Sequence, residues 1–137
     1  MSQTKLQSQI VDIAKPSTNI YTFLTNLNNF QKLMPSEVSD WQSSETECTF
    51  TLKGMPSIGF MITEQTPFTN IVYKGIGKLP AAVFLKVAIS SNTDEACKAQ
   101  LFLEAELNPM LKMMVEKPLQ ALFNFMSHKL EAHFNNT

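Results

Sequence analysis

The stretch NPMLKMMVEKPLQALFNFM, residues 108–126, decides how this chain is read. Asn108 is a residue type whose side chain caps helices, and Pro109 suits the first helical position, where a missing N–H costs nothing. A helix is therefore expected from here to about His133, kinked at Pro118, which removes one backbone bond. At 100° per residue, Met110, Leu111, Met114, Val115, Pro118, Leu119, Ala121, Leu122, Phe125, Met126 and Leu130 fill roughly half the circumference. An ordinary surface helix buries a stripe little wider than about 100°. Two readings stay open. Either the helix is sunk deep and its methionines fill irregular gaps, or part of the arc lines a cavity that adapts to an apolar guest.

Upstream, from residue 37 to 107, the apolar period is two. VSDWQ and CTFTLKG flank the polar turn SSETE and read as a hairpin. SIGFMITEQ, NIVYKG and AVFLKVAIS follow as strands. After the turn NTDE comes CKAQLFLEAEL, with Cys97, Ala99, Leu101, Leu103, Ala105 and Leu107 on one face. Further upstream still, TKLQSQIVDIA (residues 4–14) reads as one strand. PSTNIYTFLTNLNNFQKLMP reads as two short helices, capped by Ser17 or Thr18 and ended by Pro35. Consecutive strands with short turns make an antiparallel meander with one apolar face, and the last helix is the element long enough to cover it.

That order resembles the START/Bet v 1-like (SRPBCC, polyketide cyclase/dehydrase-like) helix-grip superfamily across residues 1–137. The residues that carry the likeness are the first strand followed by KPSTNIYTFLTNLNNFQKLMP, the hairpin opening VSDWQ, and the closing helix. The expected fold class is α+β. A curved antiparallel sheet of about six to seven strands grips a long C-terminal helix, with two short helices after the first strand, all in a single domain. The resemblance implies an apolar cavity between sheet and helix. It does not fix the chemistry, because one fold hosts many functions.

Composition narrows the partners. The 137 residues are 44% hydrophobic and 17% charged, with a net charge of -1. No basic stripe suits a nucleic-acid backbone, and no run approaches the roughly 18 apolar residues of a membrane span. MSQTKLQSQI has no apolar signal region, so a cytoplasmic location is expected, with Cys48 and Cys97 reduced and serving as small core residues.

No catalytic constellation is visible. There is no GxSxG elbow, and GIG is too short for a phosphate loop. His128 and His133 lie five apart without a ligand cluster, so neither a metal nor another cofactor is expected. The leading expectation is a binding or transport protein for a hydrophobic small molecule such as a lipid, isoprenoid or polyketide-like compound. Phe30, Met34, Phe60, Tyr73, Met110, Met114 and Phe125 are the expected lining. One alternative is a cyclase/dehydratase-like enzyme using Glu64, Tyr73 and Asp40. Another is a co-chaperone-like protein-interaction module, whose apolar contact surface would include the loops 53–58 and 75–82, with Met55, Ile58, Ile76 and Leu79.

Overall fold

The structure is a computed structural model that describes residues 2–52, 57–77 and 82–135. The chain begins with β1 (Ser2–Gln7) and β2 (Val11–Ile13). It continues through α1 (Ser17–Leu24) and a 3-10 helix (Leu27–Leu33). Six strands follow: β3 (Val38–Ser43), β4 (Glu47–Leu52), β5 (Ile58–Thr66), β6 (Asn70–Gly77), β7 (Val83–Thr93) and β8 (Ala96–Leu107). Helix α2 (Pro109–Asn135) closes the fold. The strands are antiparallel in the order β1-β8-β7-β6-β5-β4-β3, with β2 also on β8. This is the expected α+β helix-grip architecture.

The sheet has eight strands among the described residues, not six to seven, because the expected first strand is split. Gln7 pairs with Phe102 and Val11 with Ala99, so four steps on the edge oppose three on β8. The extra residue makes a bulge. Ser8 fills the gap: its N–H donates to the Leu101 carbonyl (2.9 Å), and its hydroxyl accepts from the Leu101 N–H (3.0 Å). A side-chain oxygen thus stands in for a backbone acceptor, which a period-two pattern does not reveal.

Helix α1 starts at Ser17 behind Pro16 without a side-chain cap, so neither Ser17 nor Thr18 plays the expected role. It buries Ile20, Tyr21 and Leu24. The break after it is made by asparagines, as the sequence suggests. The Asn26 side chain accepts from the Asn28 N–H, and the Asn29 amide donates to the Phe23 carbonyl (2.9 Å). Leu27, Phe30 and Leu33 of the 3-10 helix then enter the core.

Asn108 caps α2 as expected, its side chain accepting from the Leu111 N–H at 2.9 Å. The helix runs unbroken through Pro118, which has no N–H for the Met114 carbonyl. Two amide side chains fasten α2 to the free edge of the sheet. Gln120 donates to the Gln7 carbonyl (2.7 Å). Asn135 donates to the Asp12 carbonyl (3.0 Å) and accepts from the Ala14 N–H (2.8 Å), as a neighbouring strand would. Replacing Asn135 with Ala is expected to cost about 1 kcal/mol and to speed hydrogen exchange at the Ala14 amide selectively. Urea unfolding and amide exchange read the two effects separately.

Candidate functional site

The apolar arc of α2 divides lengthwise. Leu119, Leu122, Phe123, Met126 and Leu130 are buried against the concave face of the sheet. Beside them runs a second stripe: Met110, Met114, Pro118, Ala121 and Phe125. At 100° per residue these lie within about 80° of one another. Met110 and Met114 are 73% and 65% exposed, and Phe125 is 37% exposed. The sheet is therefore too narrow to cover all the apolar surface that the helix presents.

The lower end of this stripe forms one wall of a cleft of about 270 Å³. Pro118, Ala121, Leu122 and Phe125 line the helix side. Pro35, Glu37 and Leu52 line the other, where the 3-10 helix has ended and β3 and β4 meet the same end of the sheet. The wall is apolar apart from the Glu37 carboxylate at the rim. Lys129 Nζ lies 5.8 Å from the Phe125 ring centre, so the outer edge of the cleft is cationic as well as aromatic.

Register explains why this end is less filled. Across the concave face, Leu6, Leu103, Leu85, Tyr73 and Ile62 form a row of large side chains. The next row toward α2's beginning contains Thr4, Ala105 and Val83. Gly75 faces Val83 one step beyond the Lys74–Phe84 pair, and Phe60 stands opposite Gly75. Small residues thus replace leucines where the helix is least covered. Leu52 and Val83 keep 7% and 9% of their surface exposed at this end, where Phe50 keeps none, and Ile20, Leu27, Ile71, Val87 and Cys97 keep none at the other, where Tyr21 keeps 8%. Both ends of the core are thus nearly closed, and the open apolar surface is that of the helix stripe.

The seven residues expected to line a cavity fall into separate groups. Phe125 is in the cleft, and half-buried Met34 packs on the core just before Pro35. Met110 and Met114 extend the exposed stripe. Phe60 sits in the small-residue row, its ring 6.3 Å from that of Phe50. Phe30 and Tyr73 lie deeper and are sealed, with ring centres 5.2 Å apart. The Tyr73 hydroxyl donates to the Leu24 carbonyl at 2.7 Å, which ties the end of α1 to the sheet. Burial first, then the nearby Cys48 and Tyr21, holds its phenol well above the usual value of 10. Pro35, Glu37 and Leu52 carry no local signal, because tertiary packing alone brings them to the helix. Met55 and Leu79 lie outside the described residues, Ile58 is a buried strand residue, and Ile76 is half-buried in β6.

The acid–base candidates are not brought together. Glu64 shares parity with Phe60 and Ile62 in sequence, yet Ile62 pairs with Tyr73 and Glu64 with Val72. Thr63 is the extra residue, and one inserted residue turns every later side chain to the opposite face. Glu64 therefore joins Phe84, Lys86 and Glu104 at a shallow depression on the convex side, where Lys86 and Glu104 pair at 3.3 Å. Asp40 is exposed on the edge strand, at a positive φ of 54° where the β3 register shifts. Trp41 stacks on Phe50 and donates to Ser43 Oγ, which in turn donates to the Asn28 side chain. His133 stacks on Phe23 at 4.7 Å, and His128 is exposed. Among the described residues no three potential metal ligands cluster.

Replacing Tyr73 with Phe is expected to cost about 1–2 kcal/mol, measured by urea unfolding, because the Leu24 carbonyl would be left buried without its donor. Alkaline pH should destabilise the fold. Burial pushes the Cys48 thiol from 9.0 up to about 12, against a smaller lowering by a backbone bond from Phe60. The unfolded chain gives up that proton first, so stability is whole below pH 9 and falls as pH rises toward 12. The urea midpoint followed across this range should decline, and less steeply in Cys48→Ala.

No protein-family model matches the chain, and no curated protein does. Solved structures do. Truncated norcoclaurine synthase from Thalictrum flavum superposes with a TM-score of 0.75 at 12% identity, over 96% of this chain and 93% of that one. The protein XoxI from Bacillus cereus gives 0.73 at 7% identity, over 99% and 97%. A START superfamily protein from Mycobacterium smegmatis gives 0.66 at 11% identity, over 98% and 97%. The plant enzyme has also been solved in complex with dopamine and hydroxybenzaldehyde.

Proposed function

From the START/Bet v 1-like helix-grip fold that these likenesses establish, we propose that the chain binds a hydrophobic small molecule between α2 and the open end of the sheet. The observation that carries this reading is the surplus of apolar surface on α2. The stripe from Met110 to Phe125 is continuous with the cleft at Pro35 and Leu52, and the small-residue row lies at the same end. Exposed apolar surface of this kind is left in water only at a cost, at about 25 cal/mol per Å², and a guest that covers it removes that cost. Methionines at the entrance adapt to guests of different shape. No described helix is long and apolar enough to cross a membrane.

A catalytic reading has less support, because Glu64, Tyr73 and Asp40 lie on the convex face, in the sealed core and on the edge strand. A protein-contact reading rests on Met110, Met113 and Met114, all exposed on the first turns of α2. Thermal-shift and titration measurements with small apolar probes separate the two. A bound probe is expected to raise the melting temperature in proportion to the logarithm of its concentration. Ala121→Trp, which fills the cleft, should weaken the probe about tenfold or more, a change of about 1.4 kcal/mol. Absence of any probe binding, together with an unchanged response in Ala121→Trp, would sink the small-molecule reading.

A further inference from the structure

Met110, Met113 and Met114 are the most exposed large apolar side chains among the described residues, at 73%, 82% and 65%. None of them belongs to the core or to the half-buried side chains packed against it. Leucine matches methionine in helix propensity and nearly in volume, so neither helix formation nor packing calls for sulfur at these positions. What sets the thioether apart there is its chemistry: it takes up one oxygen reversibly, and the product is polar. The other described methionines are placed differently. Met126 is buried, Met34 is half-buried against the core, and Met61 lies on β5, paired with Lys74 on the convex face, at 36% exposure. The thiols are poor competitors for an oxidant. Cys48 and Cys97 are both buried, and that burial holds both above the ordinary thiol value, which withholds the reactive thiolate.

We propose that Met110, Met113 and Met114 form a reversible oxidation site, and that a peroxide acting there switches off guest binding at the apolar stripe without unfolding the protein. The switch rests on the small-molecule reading above; the oxidation site stands without it. In the step, a sulfur lone pair attacks one oxygen of the peroxide and the O–O bond breaks. That oxygen stays on sulfur as the sulfoxide, and its proton joins the departing hydroxide as water. Sulfur gives up two electrons and the peroxide takes them. A dithiol reductant reverses the change: the oxygen leaves as water and the two thiols become a disulfide. Each sulfoxide puts a strong acceptor on the surface that runs from Met110 to the cleft at Phe125. An apolar guest covering it would strip that acceptor of water without offering a donor in return. The fold is spared because the concave face is closed by Leu119, Leu122, Phe123, Met126 and Leu130, which the oxidant does not reach.

In the test, the full chain is treated with hydrogen peroxide and desalted. It is then read by peptide mass spectrometry, by thermal unfolding and by fluorescence titration with the neutral probe N-phenyl-1-naphthylamine. Sulfoxide is expected at Met110, Met113 and Met114 before Met34, Met61 and Met126. The melting temperature should stay within about 2 °C of the untreated protein. Affinity for the probe should fall about tenfold or more, and should return after treatment with a methionine sulfoxide reductase and dithiothreitol. A chain carrying Met110→Leu, Met113→Leu and Met114→Leu should lose less than about twofold to peroxide, whatever its starting affinity. Sulfoxide appearing first at Met34, Met61 or Met126 overturns the site. Unchanged probe affinity with all three methionines oxidised overturns the switch alone and leaves the small-molecule reading standing. An equal loss in the triple-leucine chain, or unfolding on oxidation, does the same. If the untreated protein does not bind the probe, the switch and the small-molecule reading fall together, and the order of oxidation still decides the site.

Discussion

A curved sheet with one apolar face must be covered along its whole length, and here a single 27-residue helix covers it. Everything else in the molecule answers to that constraint. The second half of α2 meets it fully: Leu119, Leu122, Phe123, Met126 and Leu130 close over the concave face, and Asn135 completes the edge as if it were another strand. Helix α1 and the 3-10 helix close the same region from the other side with Ile20, Leu24, Leu27 and Phe30. The first half of α2 meets the constraint only in part, with Leu111 and Val115 half-buried and the methionines outside. Fold and site are thus the same fact seen at two ends of one helix.

Polar groups in the interior show where packing is complete. Tyr73 reaches the Leu24 carbonyl, Ser127 bonds back to Asn124, and Ser8 substitutes for a ladder acceptor. Tyr73 and Ser8 lie where neighbouring elements converge and supply a partner, and Ser127 finds its own within α2. Thr4 is covered as fully, at 2% exposed, yet no polar group among the described residues bonds to its hydroxyl.

Much of the fold was legible in the sequence because it depends on local periodicity. Alternation in β7 and β8, the Asn108 cap and the asparagine break after α1 all appear where short-range patterns place them. What pattern could not give are the single inserted residues. The bulges at Ser8 and Thr63 leave composition and spacing almost unchanged, yet they divide the first strand and send Glu64 to the opposite face. The candidate cleft was legible only in part for the same reason. A helical wheel brings Met110, Met114 and Phe125 to one stripe, but Pro35, Glu37 and Leu52 arrive from other elements. Phe30 and Tyr73 have the right chemistry for a cavity wall, but both are fully buried in the packed core.

Pro118 has a mechanical consequence. It stands at the junction between the held and the unheld halves of α2, where the Met114 carbonyl lacks its usual donor. A rod clamped along one half bends most readily at the clamp's edge, and the weakest link in the ladder is placed there. Bending at that point tilts Met110 and Met114 while Leu122, Met126 and Leu130 stay seated. The stiffness of the covered half and the compliance of the uncovered half are therefore set independently, one by leucine packing and the other by one missing N–H.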